Sequence, residues 1–275
     1  MRTLAFILVC ALCAFLLAAP GADGPAPAAA QADPRPNVVV LMTDDQTLRS
    51  MRAMPRTRAL VGDQGARFAN SFVSNPRCCP ARATFLTGQY SHNNGVLTNG
   101  PPLGGWQRLR GTSNWLPTWL RDAGYRTVHV GKFLNHYGVD DPHEVPPGWD
   151  EWYGTIDPTT YRYYGYTVNE NGELRTYGRD HDPRWYSTDF ASRRAAGIVE
   201  RLAPQGQPFF LSVAFLAPHT GGPHEPGDPG SLGTPAIAER HRGAFAGLPL
   251  PRTAAFDEAD VSDKPALLRR PPLSP

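Results

Sequence analysis

Asn37-Val38-Val39-Val40-Leu41-Met42-Thr43-Asp44-Asp45-Gln46 is the stretch whose reading decides the fold. From Val38 to Met42 the apolar, β-branched character is unbroken, the pattern of a strand buried on both faces of a parallel sheet. Thr43 then ends the run in two carboxylates. Residues 116–124 read as a short helix stopped by Gly124, and residues 125–130 as the next strand, ending in Gly131-Lys132. The pairing recurs as a helix over 189–202 and a strand over 208–217. Strands alternating with helices imply an α/β fold, a three-layer α/β/α sandwich around a mostly parallel central sheet. Between the two pairs, residues 166–177 alternate around Asn171-Gly172 and predict a hairpin insertion near the surface. Upstream, residues 54–66 predict a helix starting near Pro55 with Leu60 and Val61 inward, and 67–73 a short extended segment. From Pro218 onward no strong period survives.

The first 20 residues combine a basic start with a short apolar run, the pattern of a secretory signal peptide, and an Ala/Pro-rich tract follows. Residues 1–32 are therefore expected to be a leader, 33–265 one catalytic domain, and 266–275 a disordered Pro-rich tail. A secreted or extracytoplasmic protein with no stable membrane anchor is implied. Of four cysteines, Cys10 and Cys13 fall in the leader, and the adjacent Cys78 and Cys79 are badly placed to bridge each other. The net charge is +2 with both signs interspersed, so no nucleic-acid surface or polyanion-binding stripe stands out.

In open α/β sheets the functional crevice lies beyond the carboxyl ends of the strands. Asp44, Asp45, Lys132 and His219 all fall at such ends. Paired carboxylates suit a hard divalent cation, and they also suit a solvated turn or helix cap. Lys132 reads as a site residue or a surface lysine, and His129, inside a strand, as a packed core histidine. In residues 78–90, Cys-Cys-Pro-Ala-Arg-Ala-Thr-Phe-Leu-Thr-Gly-Gln-Tyr, Pro80 fits the first turn of a helix packed by Phe85 and Leu86. Cys78 then sits at the positive helix end, which stabilises a thiolate or another anion, with Arg82 one turn on. The other reading makes both cysteines small buried hydrophobes.

Cys78, Pro80, Arg82 and Leu86-Thr87-Gly88 resemble the signature of the type I sulfatases, formylglycine-dependent members of the alkaline phosphatase superfamily. Together with the doubled cysteine, Gly88-Gln89-Tyr90-Ser91-His92-Asn93 looks most like the branch containing N-acetylglucosamine-6-sulfatases. The resemblance covers only the N-terminal portion of a family member. It implies that a formylglycine-generating enzyme oxidises Cys78 to formylglycine, and that Asp44, Asp45 and modified Cys78 bind Ca2+, with Mg2+ as the alternative. It further implies a hydrate hydroxyl attacking the sulfur of a sulfated carbohydrate, with Arg82 and Lys132 stabilising the sulfuryl oxygens. His219 would orient the sulfate or assist proton transfer.

There are departures from the family pattern. Leu134 stands where many members have histidine, Ala81 where many have serine, and Thr220-Gly221-Gly222 intervenes before Pro223. The family's second pair of cation ligands is missing; Asp180-His181 is the only dipeptide of that type and sits in a polar, aromatic loop. Calcium asks for ~6 to 8 oxygens, so the resemblance predicts a C-terminally truncated sulfatase that binds its cation weakly and exposes a sheet edge with apolar surface. Two alternatives remain: an inactive sulfatase-like or glycan-binding protein, and a metal-dependent phosphoesterase of the same superfamily, which would use Thr or Ser at position 78. Trp106, Trp115, Trp149, Trp152 and Trp185 serve either as sugar-stacking platforms or as packing.

Overall fold

Six strands build one sheet in the computed structural model: β1 (Val38–Met42), β2 (Arg126–Lys132), β3 (Glu151–Thr155), β4 (Tyr166–Glu170), β5 (Glu173–Tyr177) and β6 (Phe209–Ala214). Their spatial order is β1-β6-β2-β3-β4-β5. Residues 35–225, 227–228, 233–249, 252–254, 256–266 and 269 are described. The leader over 1–32 and all of the tail over 266–275 except residues 266 and 269 lie outside them.

β1, β6, β2 and β3 run parallel, and β4 and β5 are antiparallel additions. Alternation along β6 and β2 sorts the two faces. Phe209, Leu211, Val213, Val128 and Val130 pack against Ala191, Ile198 and Leu202 of the Ser187–Leu202 helix. On the opposite face, Phe210 joins Trp115, Phe133, Trp149 and Trp152, covered by the helices Cys78–Thr87 and Leu116–Asp122. Each such buried side chain contributes roughly 1.5–3 kcal/mol. Helices on both faces of a mostly parallel sheet make the three layers that the alternation predicts. Trp106, Trp115, Trp149 and Trp152 are core residues.

Some local expectations hold and others are corrected. The hairpin forms over 166–177 as expected, and β3, whose charge and glycine hide it in the sequence, joins it to the main sheet. Asn171 and Gly172 take φ of 55° and 96°, the left-handed pair that closes a two-residue hairpin. β1 is an edge strand, and Val38, Val40 and Met42 are the half-buried, inward side of it. Val39 and Leu41 are 45% and 59% exposed, because an unbroken apolar run does not reveal a bare face. The helix begins at Pro55 as expected but ends at Gly62, passing from α (Pro55–Thr57) to π (Arg58–Gly62), and a separate 3-10 turn precedes it over Leu48–Ala53. Leu60 and Val61 are exposed instead of inward, and 67–73 forms no strand.

Gly131 bends the end of β2 with φ +100°, where any Cβ would run into the Ala214 carbonyl oxygen of β6. That close approach sets Lys132 beside the ends of β1 and β6.

Candidate active site

Three strand ends and one helix start converge. After β1, the Asp44 N–H donates to the Ala217 carbonyl at 3.2 Å, and the Phe215 N–H donates to the Met42 carbonyl at 2.8 Å. Asp45 turns the chain with φ 58°. Its carboxylate thereby comes within 3.5 Å of His219 Nε2, although adjacent residues of a strand would point to opposite faces.

The Cys78–Thr87 helix starts after extended Arg77 and ends at left-handed Gly88. The Cys79 N–H, left without an intrahelical partner at the helix start, donates to Asn99 Oδ1 at 3.0 Å. Cys79, Ala83 and Leu86 form the stripe that enters the core. At the same spacing, Cys78, Arg82 and Phe85 form a second stripe, and this one carries the site. Phe85 is therefore 38% exposed, a correction to its expected packing role.

Cys78 Sγ, an Asp44 carboxylate oxygen and a His219 ring nitrogen lie within 4.8 Å of one another. Lys132 Nζ donates to Asp44 Oδ2, and Arg82 Nη2 stands 3.7 Å from the same oxygen. Arg82 Nη1 also donates to the Lys132 carbonyl at 2.6 Å. Asp44, Arg82 and Lys132 are all buried.

Burial opposes charge on Asp44, but Arg82 and Lys132 together outweigh it and hold the carboxyl below its ordinary value. Cys78 moves the other way. Burial pushes its thiol up, and Asp44 and Asp45 add to this against Lys132 and Arg82. The helix start therefore does not outweigh burial, and the unmodified thiol is held toward its protonated form, a poor nucleophile. Cys79 is wholly buried and pushed up to about 11, as befits a core residue.

Residues 36–243 match the sulfatase family model. The chain belongs to the sulfatase family. It is 35% identical over 240 residues to the extracellular sulfatase SULF-1 homolog of Drosophila melanogaster, covering 86% of this chain and 20% of that protein. An arylsulfatase of Volvox carteri is 35% identical over 90% of this chain and 40% of its own length. The N-acetylglucosamine-6-sulfatase of Homo sapiens is 37% identical over 68% and 35%. This sulfatase chain therefore spans between 20% and 40% of the lengths of these relatives. Among solved structures, one in complex with its substrate D-glucosamine-2-N,6-O-disulfate superposes with TM-score 0.61 and 26% identity, over 82% of this chain and 41% of that one.

Beside these residues stands Tyr161, which sequence reasoning missed. Its ring centroid is 4.4 Å from Lys132 Nζ and 5.1 Å from the His219 ring centroid, and its hydroxyl accepts from Asn135 Nδ2. The only signal was an aromatic-rich loop over 159–164, without spacing that points at Lys132. Leu134 is a core residue. His92 is exposed and stacks on Tyr90, and Asp180-His181 is exposed and outside the donor group. His129 is buried, bonded to Ser212 Oγ at 3.3 Å and stacked on Trp152, in keeping with a core histidine.

The donor chemistry fits a hard divalent cation in part. Asp44 and Asp45 bring two carboxylates and His219 one imidazole, while position 78 must trade sulfur for oxygen to suit such an ion.

Proposed function

We propose that this chain is an exported sulfuric ester hydrolase that cleaves a sulfate ester of a sulfated sugar, with N-acetylglucosamine-6-sulfate as the representative substrate. The convergence of Asp44, Cys78 and His219 within 4.8 Å, with Lys132 bonded to Asp44, carries this reading. The family match and the names of the relatives support the reaction class. Conversion of Cys78 to formylglycine by a formylglycine-generating enzyme supplies, once hydrated, a hydroxyl nucleophile that a thiol of raised pKa does not. A divalent cation, Ca2+ or Mg2+, would be held by Asp44, Asp45 and residue 78 with His219 beside them, and would supply positive charge to the sulfuryl oxygens.

The chain's own residues then divide the remaining work. Lys132 presents a buried ammonium to the sulfate. Arg82 fixes that lysine through its carbonyl and neutralises Asp44, acting chiefly by positioning. Tyr161 lies against Lys132 and restricts its direction. His219 orients the sulfate and exchanges the proton of the departing alcohol.

The test is co-expression with a formylglycine-generating enzyme, mass spectrometry of the Cys78 peptide, and a sulfate-release assay with calcium. The expected outcome is an aldehyde at position 78 and sulfate release that disappears in Cys78→Ala. An unmodified thiol with no sulfate release would overturn the proposal. A second reading, a sulfatase-like protein that binds but does not turn over, is favoured by one observation. Among the described residues the donors around Cys78 fall short of the ~6 to 8 oxygens calcium asks for. Modification without turnover would select it.

A further inference from the structure

The charges are interspersed along the sequence, yet folding gathers arginines on one face. A cleft of about 360 Å³ lies between the Ser187–Leu202 helix and strands β3 and β5, lined by Tyr153, Tyr177, Trp185, Arg193, Arg194 and Arg201. Beside it two carboxylates hold four guanidinium groups, of which Arg194 and Arg201 line the cleft. Glu151 pairs with Arg201 at 2.6 Å and Arg126 at 3.2 Å, and Glu170 pairs with Arg194 at 2.8 Å and Arg175 at 3.8 Å.

Each arrangement leaves one positive charge in excess. Both glutamates are largely covered, whereas the side chains of Arg175 and Arg201 are 65% and 45% exposed. Arg193 adds a further charge. It lies 5.8 Å from the Trp185 ring centroid, donates to the Arg184 carbonyl, and has no carboxylate partner among the described residues.

The aromatic component is equally ordered. Arg194 stacks over Tyr153 at 4.5 Å from the ring centroid, and the half-buried rings of Tyr177 and Trp185 line the same cleft, so aromatic surface and guanidinium forks stand side by side. Sugar rings stack their C–H faces on aromatic side chains, and sulfate or carboxylate groups accept paired N–H donors from arginine. Arg194 and Arg201 are two helical turns apart, about 10 Å, which is longer than one sugar ring. The charge excess is local and modest, which suits a short anionic chain better than the many phosphate contacts of a nucleic acid.

We propose that this cleft is a second, non-catalytic binding site for a sulfated oligosaccharide. It shares no residue with the Cys78 crevice and does not depend on conversion of Cys78.

The experiment uses the full chain made without a formylglycine-generating enzyme, and titrates it by calorimetry with a size-defined heparin oligosaccharide and with its desulfated form. Binding of the sulfated form alone is expected, weakened roughly tenfold or more in the double variant Arg193→Gln/Arg201→Gln. Arg49→Gln/Arg58→Gln, which removes the same charge from exposed positions elsewhere, should leave affinity unchanged. Equal weakening by both pairs, equal binding of the desulfated form, or no binding would overturn the proposal. Dicarbonyl footprinting of the unaltered chain keeps the test open if the groove variant misfolds. Protection of Arg193 and Arg201 by the oligosaccharide is expected, and protection confined to the Cys78 crevice would overturn the assignment.

Discussion

On one side of the crevice, Asp44, Arg82 and Lys132 are almost wholly buried and share their hydrogen bonds with one another; on the other, Asp45 and His219 meet across 3.5 Å with side chains 56% and 17% exposed. The wall is assembled by folding, and its charges are sealed together. The rim makes few demands on the fold and stays open to solvent. Residues of similar chemistry thus carry different burdens: the wall's charges are tied to stability, and the rim's are left free for the proposed recognition.

The sharpest way to break that contrast is to neutralise each aspartate in turn. Asp44→Asn leaves two buried cations without their carboxylate and should cost roughly 3–5 kcal/mol, whereas Asp45→Asn should stay within about 0.5 kcal/mol. Equal losses in urea denaturation would erase the distinction.

Next in size is a pH effect behind the wall. Burial, with Arg82, depresses His129 to about 3, while in the unfolded chain a histidine titrates near ~6.5. Below about pH 6.5 the unfolded chain takes up a proton that the folded chain refuses, so stability falls by about 1.4 kcal/mol per pH unit down to the folded value. At pH 5 this amounts to about 2 kcal/mol. His129→Gln should lose correspondingly less between pH 7 and pH 5, and an identical loss in both proteins would contradict the buried, neutral imidazole.

At the rim, His219→Ala should lower calcium affinity roughly tenfold, about 1.4 kcal/mol, without moving the urea midpoint. Calorimetry with calcium alone reads this directly, and unchanged affinity would remove His219 from the donor group. The smallest effect belongs to the bare face of β1. Leu41→Thr should change stability by less than about 0.5 kcal/mol while reducing self-association seen by light scattering.

Legibility followed the range of the interactions. The helix and strand pairs over 116–132 and 187–214 could be read because their apolar periods and glycine stops are local. Glu151 of β3 could not, since its burial is balanced by Arg126 and Arg201, 25 and 50 positions away in the chain. Asp44, Asp45, Lys132 and His219 could be placed at strand ends, and Cys78 at a helix start, from sequence alone. Their grouping around one point needs the sheet order. Tyr161 escaped because its contact with Lys132 exists only after β2 and the loop following β3 come together. The raised thiol of Cys78 escaped because depth of burial leaves no mark in a motif.

β1 belongs to the sheet through a single ladder, the one it shares with β6. The strand that delivers Asp44 and Asp45 therefore sits among the segments that open at lowest free energy, ahead of β2 and β6 at the centre. If the proposed cation binds there, its binding and local order become one equilibrium, with the ion stabilising the state that keeps both carboxylates in place. Amide exchange along Val38–Met42 would slow as calcium is raised, while exchange at the centre of the sheet would barely change.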